Sequence, residues 1–555
     1  MSAWRRRKGF TVALVFCAAA LFGLASEPDL PVTDDARFYV PAARAYGLWA
    51  TEALTGLFTL DLQPFARPRL DAAFSQNHEH PPVAKYVMAA GWLLLHHLTG
   101  LLDDTAACRV FVVFLWAWMI ALVFALVDEV RGTAAAAFAA LGLALLPRVL
   151  FDGHAETLDL PVAAFMTFAL ATTWRHLERP TLKNGGVAIL AFALALGTKH
   201  NAPFFLAAAV LYWLLVDRPR LDRLRVRLPP VPLALSGMVV AAPLVVWIMW
   251  PWLWFDTLPR LSAYLQYHLH HYGIFFYYGG KLYGDDVAPW YAPLHLTLLT
   301  VPLPFLLVAA LGLLLVGQAM LPRRERWKRL TADAVSWRDD AGARLGLFAL
   351  LQLVVQLGAV SWPTVPKYGG VKLFLPVFPF LAILAGLGCA RLERELAGAT
   401  LTARVRMGLR AVTWTLLLLP SAVGVLGYRG LWLSYYNEVA LGVRGAAGSG
   451  HERQYYDLAY PALAADLARL LPDGGKVAVL PNPKEYGPHL ARWQDQGRVS
   501  ARLRLAAPEA ADFLVLTHEQ RWREYPLLMA RYRGHKTAAR LSVAGVPLYT
   551  VFDLR

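Results

Sequence analysis

Long apolar runs recur from the start of the chain to about residue 426, separated by short polar stretches. They lie at 10–25, 83–101, 110–127, 133–147, 160–173, 186–197, 202–216, 231–250, 294–320, 345–361, 373–390 and 411–426. Runs of this kind predict membrane helices, although several are shorter than the ~20 residues of a perpendicular span. After residue 429 the pattern changes. "LPDGGKVAVLPNP", "DFLVLTHE" and "GVPLYTVFDL" read as strands, and "YDLAYPALAADLARLL" reads as an amphipathic helix. The expected fold is therefore mainly α, a polytopic membrane bundle over 1–428 followed by a small α/β domain over 429–555.

Charge patterning orients the bundle. Lys and Arg cluster at 5–8, 175–183, 218–227, 323–338 and 391–410, and such clusters stay on the cytosolic side. That puts 27–82, 148–159, 198–201, 251–293, 362–372 and the tail outside. Three apolar runs separate the outer loops 27–82 and 148–159, so one of them cannot cross. The run 133–147 is the shortest and Ala-rich, and is the expected half-span; about eleven crossings remain. A retained first helix is expected in preference to a cleaved signal peptide.

Composition agrees with a membrane protein, since 57% of the 555 residues are hydrophobic and 17% charged. The formal net charge of +15 resides in the inter-helix clusters and does not point to a nucleic-acid partner. Cys17, Cys108 and Cys389 lack the spacing of a zinc or disulfide framework and read as packing residues.

The outer loops carry the candidate chemistry. "TDDARFY" places Asp34 and Asp35 at a predicted helix start with Arg37 one turn on; capping the helix dipole is the plain explanation. "NHEHPPVAKY" brings Glu79 and His80 to a Pro-Pro pair that sets the entry of the next helix. "DGHAETLDLP" adds Asp152, His154, Glu156 and Asp159, and "GTKHNAP" adds Lys199 and His200. The aromatic loop after 251 holds His268, His270, His271 and Lys281. Each alone suits helix anchoring at the headgroup level. Together they gather on one face, where polar groups in lipid cost about 2.5–3.5 kcal/mol each. Carboxylates beside cations suit displacement at a phosphate-linked carbon, a carboxylate taking the proton and cations steadying the leaving group. No glycine-rich nucleotide loop is present, which favours a lipid-linked donor. A transporter or flippase of lipid-linked substrates also needs a polar cavity, and a glycan-binding sensor is a third reading.

The motifs "TDDARFY", "HEHPPVAKY", "ETLDLPVAAF", "GTKHN", "KYGGVKLFLPVFPFLAILAGLG" and "LSYYNEVALGVRGA" resemble the GT-C glycosyltransferases, specifically the family 39 relatives that include protein mannosyltransferases and aminoarabinose transferase-like proteins. The resemblance implies a catalytic carboxylate at Asp34 supported by Glu79, and a donor-phosphate cradle of Arg37, His80 and Lys199. Asp35, Asp159 and His271 would line the cavity. Some relatives carry lysine where this chain has His80. The resemblance further implies inverting transfer from a polyprenyl-phosphate sugar to a glycan, lipid or protein acceptor, in the inner membrane of a bacterium with the catalytic side extracytoplasmic. The family includes members with and without a divalent metal, and no metal is assigned.

Overall fold

The computed structural model describes residues 3–26, 30–217, 220–222, 225–270, 273–284, 288–320, 338 and 340–555. Helices dominate to Gly427. Lys8–Ser26, Asp104–Arg131, Leu303–Met320, Ala341–Ser361 and Ala403–Gly427 are long and apolar enough to cross a membrane, and Thr133–Ala144, Leu182–Leu196, Pro203–Asp217 and Leu233–Met249 are shorter apolar helices. Asp159–Glu178 and Val377–Gly398 complete the bundle with faces buried along most of their length. The apolar run 294–320 is two helices, Ala292–Thr300 and Leu303–Met320, broken at Pro302, whose ring cannot donate to the ladder.

Contact between Leu303–Met320 and Val377–Gly398 depends on two glycines. A Cβ at Gly312 would strike the Leu384 carbonyl, and one at Gly388 would strike the Val308 carbonyl. Small residues let the two backbones touch, which is how helices associate where lipid removes the hydrophobic driving force.

Ion pairs mark the two ends of the bundle. At one end Lys8 Nζ lies 2.9 Å from Asp128 Oδ2, and Arg131 Nη2 2.6 Å from Asp340 Oδ2. At the other, Arg492 of the C-terminal domain reaches Asp103 at 2.6 Å. These positions correct the expected half-span. The segment that fails to cross is 83–101: it starts beside Gly197, whose carbonyl accepts from Val83 N–H at 2.9 Å, and ends against Asp104, bonded to Trp92 Nε1 at 2.6 Å. Thr133–Ala144 instead leads from the Arg131 end to Arg148, whose Nε donates to the Tyr435 carbonyl at 3.1 Å. The run 83–101 is apolar because Val83, Ala84, Met88, Ala89 and Trp92 are buried in the protein's own core. Packing and lipid exposure leave the same signature in sequence.

The C-terminal sheet runs in the order Leu503–Leu505, Gly475–Leu480, Phe513–Thr517, Val546–Asp553, Thr537–Val543. The first three strands are parallel and the last two antiparallel. Every residue of the central strand Phe513–Thr517 is buried, as expected of a strand covered on both faces. Helix Pro461–Leu470 packs its Leu463, Ala464 and Leu467 stripe inward. An antiparallel bridge between Val32 and Ala459 ties this domain to the first loop.

Candidate active site at the domain-bearing end

Helix Ala36–Thr59 begins at Asp35, but neither aspartate caps it. Asp35, at the N-cap, makes no side-chain bond to the first turn; its Oδ2 pairs with Lys372 Nζ at 3.1 Å. Asp34 is held by Arg37, with Nε 2.7 Å from Oδ1 and Nη2 donating to Oδ2 at 3.2 Å. The dipole explanation from sequence thus gives way to two ion pairs, each spending a carboxylate on a specific cation.

Lys372 was not among the candidates. Its loop turns through Gly369 and Gly370, both at positive φ (61° and 57°), a conformation that strains other residues. A Cβ at Gly370 would also strike the Tyr455 ring. The Lys372 ammonium sits 4.4 Å from the Tyr456 ring centre. Burial lowers its pKa, and Asp35 and Asp159 outweigh that effect and keep it charged. "KYGGVK" does show this loop in sequence, through the paired glycines before the lysine.

Asp159 and Lys199 form a buried ion pair. Asp152, seven residues upstream of Asp159, is fully buried, and among the described residues neither carboxyl oxygen has a hydrogen-bond partner. Burial first, then the nearby Asp159, pushes its pKa well up. Tyr39 connects the groups: its phenol is pushed up by burial and by the charges of Asp35, Asp159 and Glu79.

The stretch around the Pro-Pro pair is built on Lys85. Its Nζ donates to the Asn77 carbonyl at 2.6 Å, to Asn77 Oδ1 at 2.9 Å and to the His80 carbonyl at 2.8 Å. Asn77 Nδ2 in turn donates to Glu79 Oε1 at 2.9 Å, and His268 Nε2 donates to the Glu79 carbonyl at 3.0 Å. His80 faces Tyr39, Tyr267 and His268, ring centres 6.1, 6.0 and 5.2 Å away. Burial, followed by Lys85, His268, His200 and Lys199, lowers its pKa well below 6.5. His80 is therefore neutral and offers hydrogen bonds without charge.

The structure thus gathers Asp35, Asp159, Glu79, His80 and Lys199, with Lys372 and Asp152 added, and sets Asp34 and Arg37 at the head of the same helix. His271 lies outside the described residues. Among the described residues no group of three or more His, Cys, Asp or Glu side chains is placed to hold a metal ion. Next to the site, an open groove of about 550 Å³ runs between Val83, Tyr86, Phe111, Phe114, Trp118 and Met249.

Residues 79–247 match the sequence profile of the dolichyl-phosphate-mannose-protein mannosyltransferase family. A search of curated proteins by sequence finds no match. Among solved structures the chain is similar to ArnT from Cupriavidus metallidurans bound to undecaprenyl phosphate, at 17% identity and TM-score 0.46, with 97% of each chain covered. The archaeal oligosaccharyltransferase AglB from Archaeoglobus fulgidus, in complex with an inhibitory peptide and a dolichol-phosphate, is similar at 12% identity and TM-score 0.46, over 94% of this chain and 71% of that one. The arabinofuranosyltransferase AftD from Mycobacteria is similar at 15% identity and TM-score 0.38, over 98% and 40%. The family match opens at Glu79, ahead of the Pro-Pro pair, and runs on through Asp159 and Lys199, so over residues 79–247 the chain is similar to the dolichyl-phosphate-mannose-protein mannosyltransferases.

Proposed function

We propose that this protein transfers a sugar from a polyprenyl-phosphate-linked donor to an acceptor hydroxyl or amine on the extracytoplasmic side of a bacterial inner membrane, with inversion at the anomeric carbon. The carrying observation is the convergence of paired charges from separate loops, Asp35 with Lys372 and Asp159 with Lys199, beside His80 and next to an apolar groove. About eleven crossings over 1–428 put this end, with the 429–555 domain, outside.

In this reading Asp34 is the base. Arg37 holds its carboxylate in place, and that carboxylate takes the acceptor's proton as the anomeric carbon is attacked. The donor phosphate leaves with the bond pair, steadied by Arg37, Lys199 and a His80 N–H. Arg37 and Lys199 already carry carboxylate partners, so the donor phosphate shares these cations with Asp34 and Asp159. Glu79, fixed by Asn77, helps orient the acceptor. The neighbouring groove takes the polyprenyl tail, in line with the dolichyl-phosphate donor named for the related family.

The test uses purified full-length protein in nanodiscs with a panel of undecaprenyl-phosphate monosaccharides, reading release of undecaprenyl phosphate. Asp34→Asn should lower turnover about 10²- to 10⁴-fold, the span of general-base contributions, while its thermal unfolding stays at the wild-type temperature. Wild-type turnover in that variant would remove Asp34 from the mechanism.

A further inference from the structure

Helix Asp159–Glu178 carries the site carboxylate Asp159 in its first turn. Its 20 residues span roughly 30 Å, the thickness of a bilayer's hydrocarbon core. The far end of the helix, at His176 and Leu177, lines a separate pocket of about 900 Å³, near the top of the range for ligand sites. Glu178 pairs there with Arg344 at 2.6 Å, a few residues along from the Arg131–Asp340 pair. The pocket therefore lies at the membrane face opposite the candidate active site.

Its walls are apolar and poor in hydrogen-bond donors. Pro180 and Leu182 come from the turn after that helix, and Leu228, Pro230, Val231 and Leu233 from the segment that enters helix Leu233–Met249. The stretch 228–232 holds three prolines, which bring no N–H, so irregular backbone here leaves few donors to satisfy in an apolar setting. Leu182 and Leu228 are 83% and 62% exposed, a surface suited to hydrocarbon chains.

Cations flank this apolar wall. Arg179 precedes Pro180 and Lys183 follows Leu182, and both are exposed. Glu178, the carboxylate next to Arg179 in the chain, is spent on Arg344. Asp217 and Leu228, both lining residues, bracket the strands Arg220–Asp222 and Arg225–Arg227, whose antiparallel register sets Arg220 opposite Arg227. Like charges directly opposite destabilise a strand pair, and a neighbouring anion offsets that repulsion. The occupant that fits has an anionic head for the cations and an apolar chain for the leucine and proline wall.

We propose that this pocket binds a phospholipid with an anionic headgroup, drawn from the leaflet opposite the active site. Its phosphate sits by Arg179, Lys183 and the hairpin, and an acyl chain lies along Leu182 and Leu228. Basic pockets between membrane helices recognise acidic lipids in this way. The transfer reading makes no use of this pocket.

Native mass spectrometry of the full-length protein tests it, with dioleoyl phosphatidylglycerol and dioleoyl phosphatidylcholine titrated separately into the detergent solution. Wild type should bind phosphatidylglycerol about tenfold or more tightly than phosphatidylcholine. Arg179→Gln and Lys183→Gln should each weaken phosphatidylglycerol about fivefold, the worth of one cation near an anionic headgroup, and leave phosphatidylcholine unchanged. Arg404→Gln, at an exposed arginine outside the pocket, should bind as wild type does, and glycerol 3-phosphate, a head without chains, should not displace the lipid. Equal affinity for the two lipids, an equal loss in Arg404→Gln, or displacement by glycerol 3-phosphate would overturn the proposal. So would a dimer that the two pocket substitutions dissolve, which would give the face to a second copy of the chain. The measurement does not involve turnover, so its failure leaves the transfer reading untouched.

Discussion

Lys372 and Asp35 stand 337 positions apart in the chain and meet at 3.1 Å. Their side chains are 12% and 20% exposed, so removing one partner leaves a mostly buried charge unmatched. Lys372→Met should lower kcat/KM about 10²-fold or more, measured as donor turnover. Gly370→Ala should do similar damage without touching a charge, because its Cβ would push the turn off Tyr455. Wild-type kinetics in both variants would exclude this loop from the site.

The Asp159–Lys199 pair is buried on both sides, at 4% and 9% side-chain exposure. Lys199→Met should destabilise the protein by about 3–5 kcal/mol through the lone carboxylate it leaves. Adding Asp159→Asn should recover most of that stability while activity stays lost. Thermal unfolding in detergent separates the two effects, and a double variant no more stable than the single one would contradict the pairing.

Glu452 makes the C-terminal domain sensitive to pH. Burial, only partly offset by Arg521 and two backbone N–H groups, moves its pKa from 4.5 up to about 7. Between those values the folded protein holds a proton that the unfolded chain releases, so stability falls as pH rises from 4.5 to 7. Glu452→Gln should flatten that decline, the buried Glu519 nearby contributing what remains. Melting temperatures from pH 5 to 7.5 check it, and an equal slope in wild type and variant would refute the role of Glu452.

Sidedness is open to labelling. In a Cys17→Ser background the remaining cysteines, Cys108 and Cys389, are buried. A cysteine at Leu441, 79% exposed, should react with an impermeant maleimide in intact spheroplasts, and one at Arg404 only after permeabilisation. The reverse pattern would invert the assigned orientation.

How much of this was readable from the chain depended on the range of the interaction. Membrane helices are legible because lipid demands long runs of one character, and "TDDARFY" and "NHEHPPVAKY" are short enough to read as units. In "DGHAETLD" four ionisable groups look alike in sequence and differ in space. His154 bonds the Gly23 carbonyl at 2.9 Å, Glu156 pairs with Arg109, Asp159 pairs with Lys199, and Asp152 has no partner among the described residues. Only tertiary neighbours separate a packing histidine from a site carboxylate. Lys372 escaped for the same reason, and the run 83–101 misled because core and lipid select the same side chains.

Val32 and Ala459 exchange both backbone hydrogen bonds, at 3.2 and 2.9 Å, two residues ahead of Asp34. A backbone pairing resists stretching along its hydrogen bonds, so whatever shifts the C-terminal domain also moves Asp34, the proposed base. The domain is then a chassis for the reaction centre, and an agent that pries it away from the bundle would silence the enzyme without ever entering the cavity.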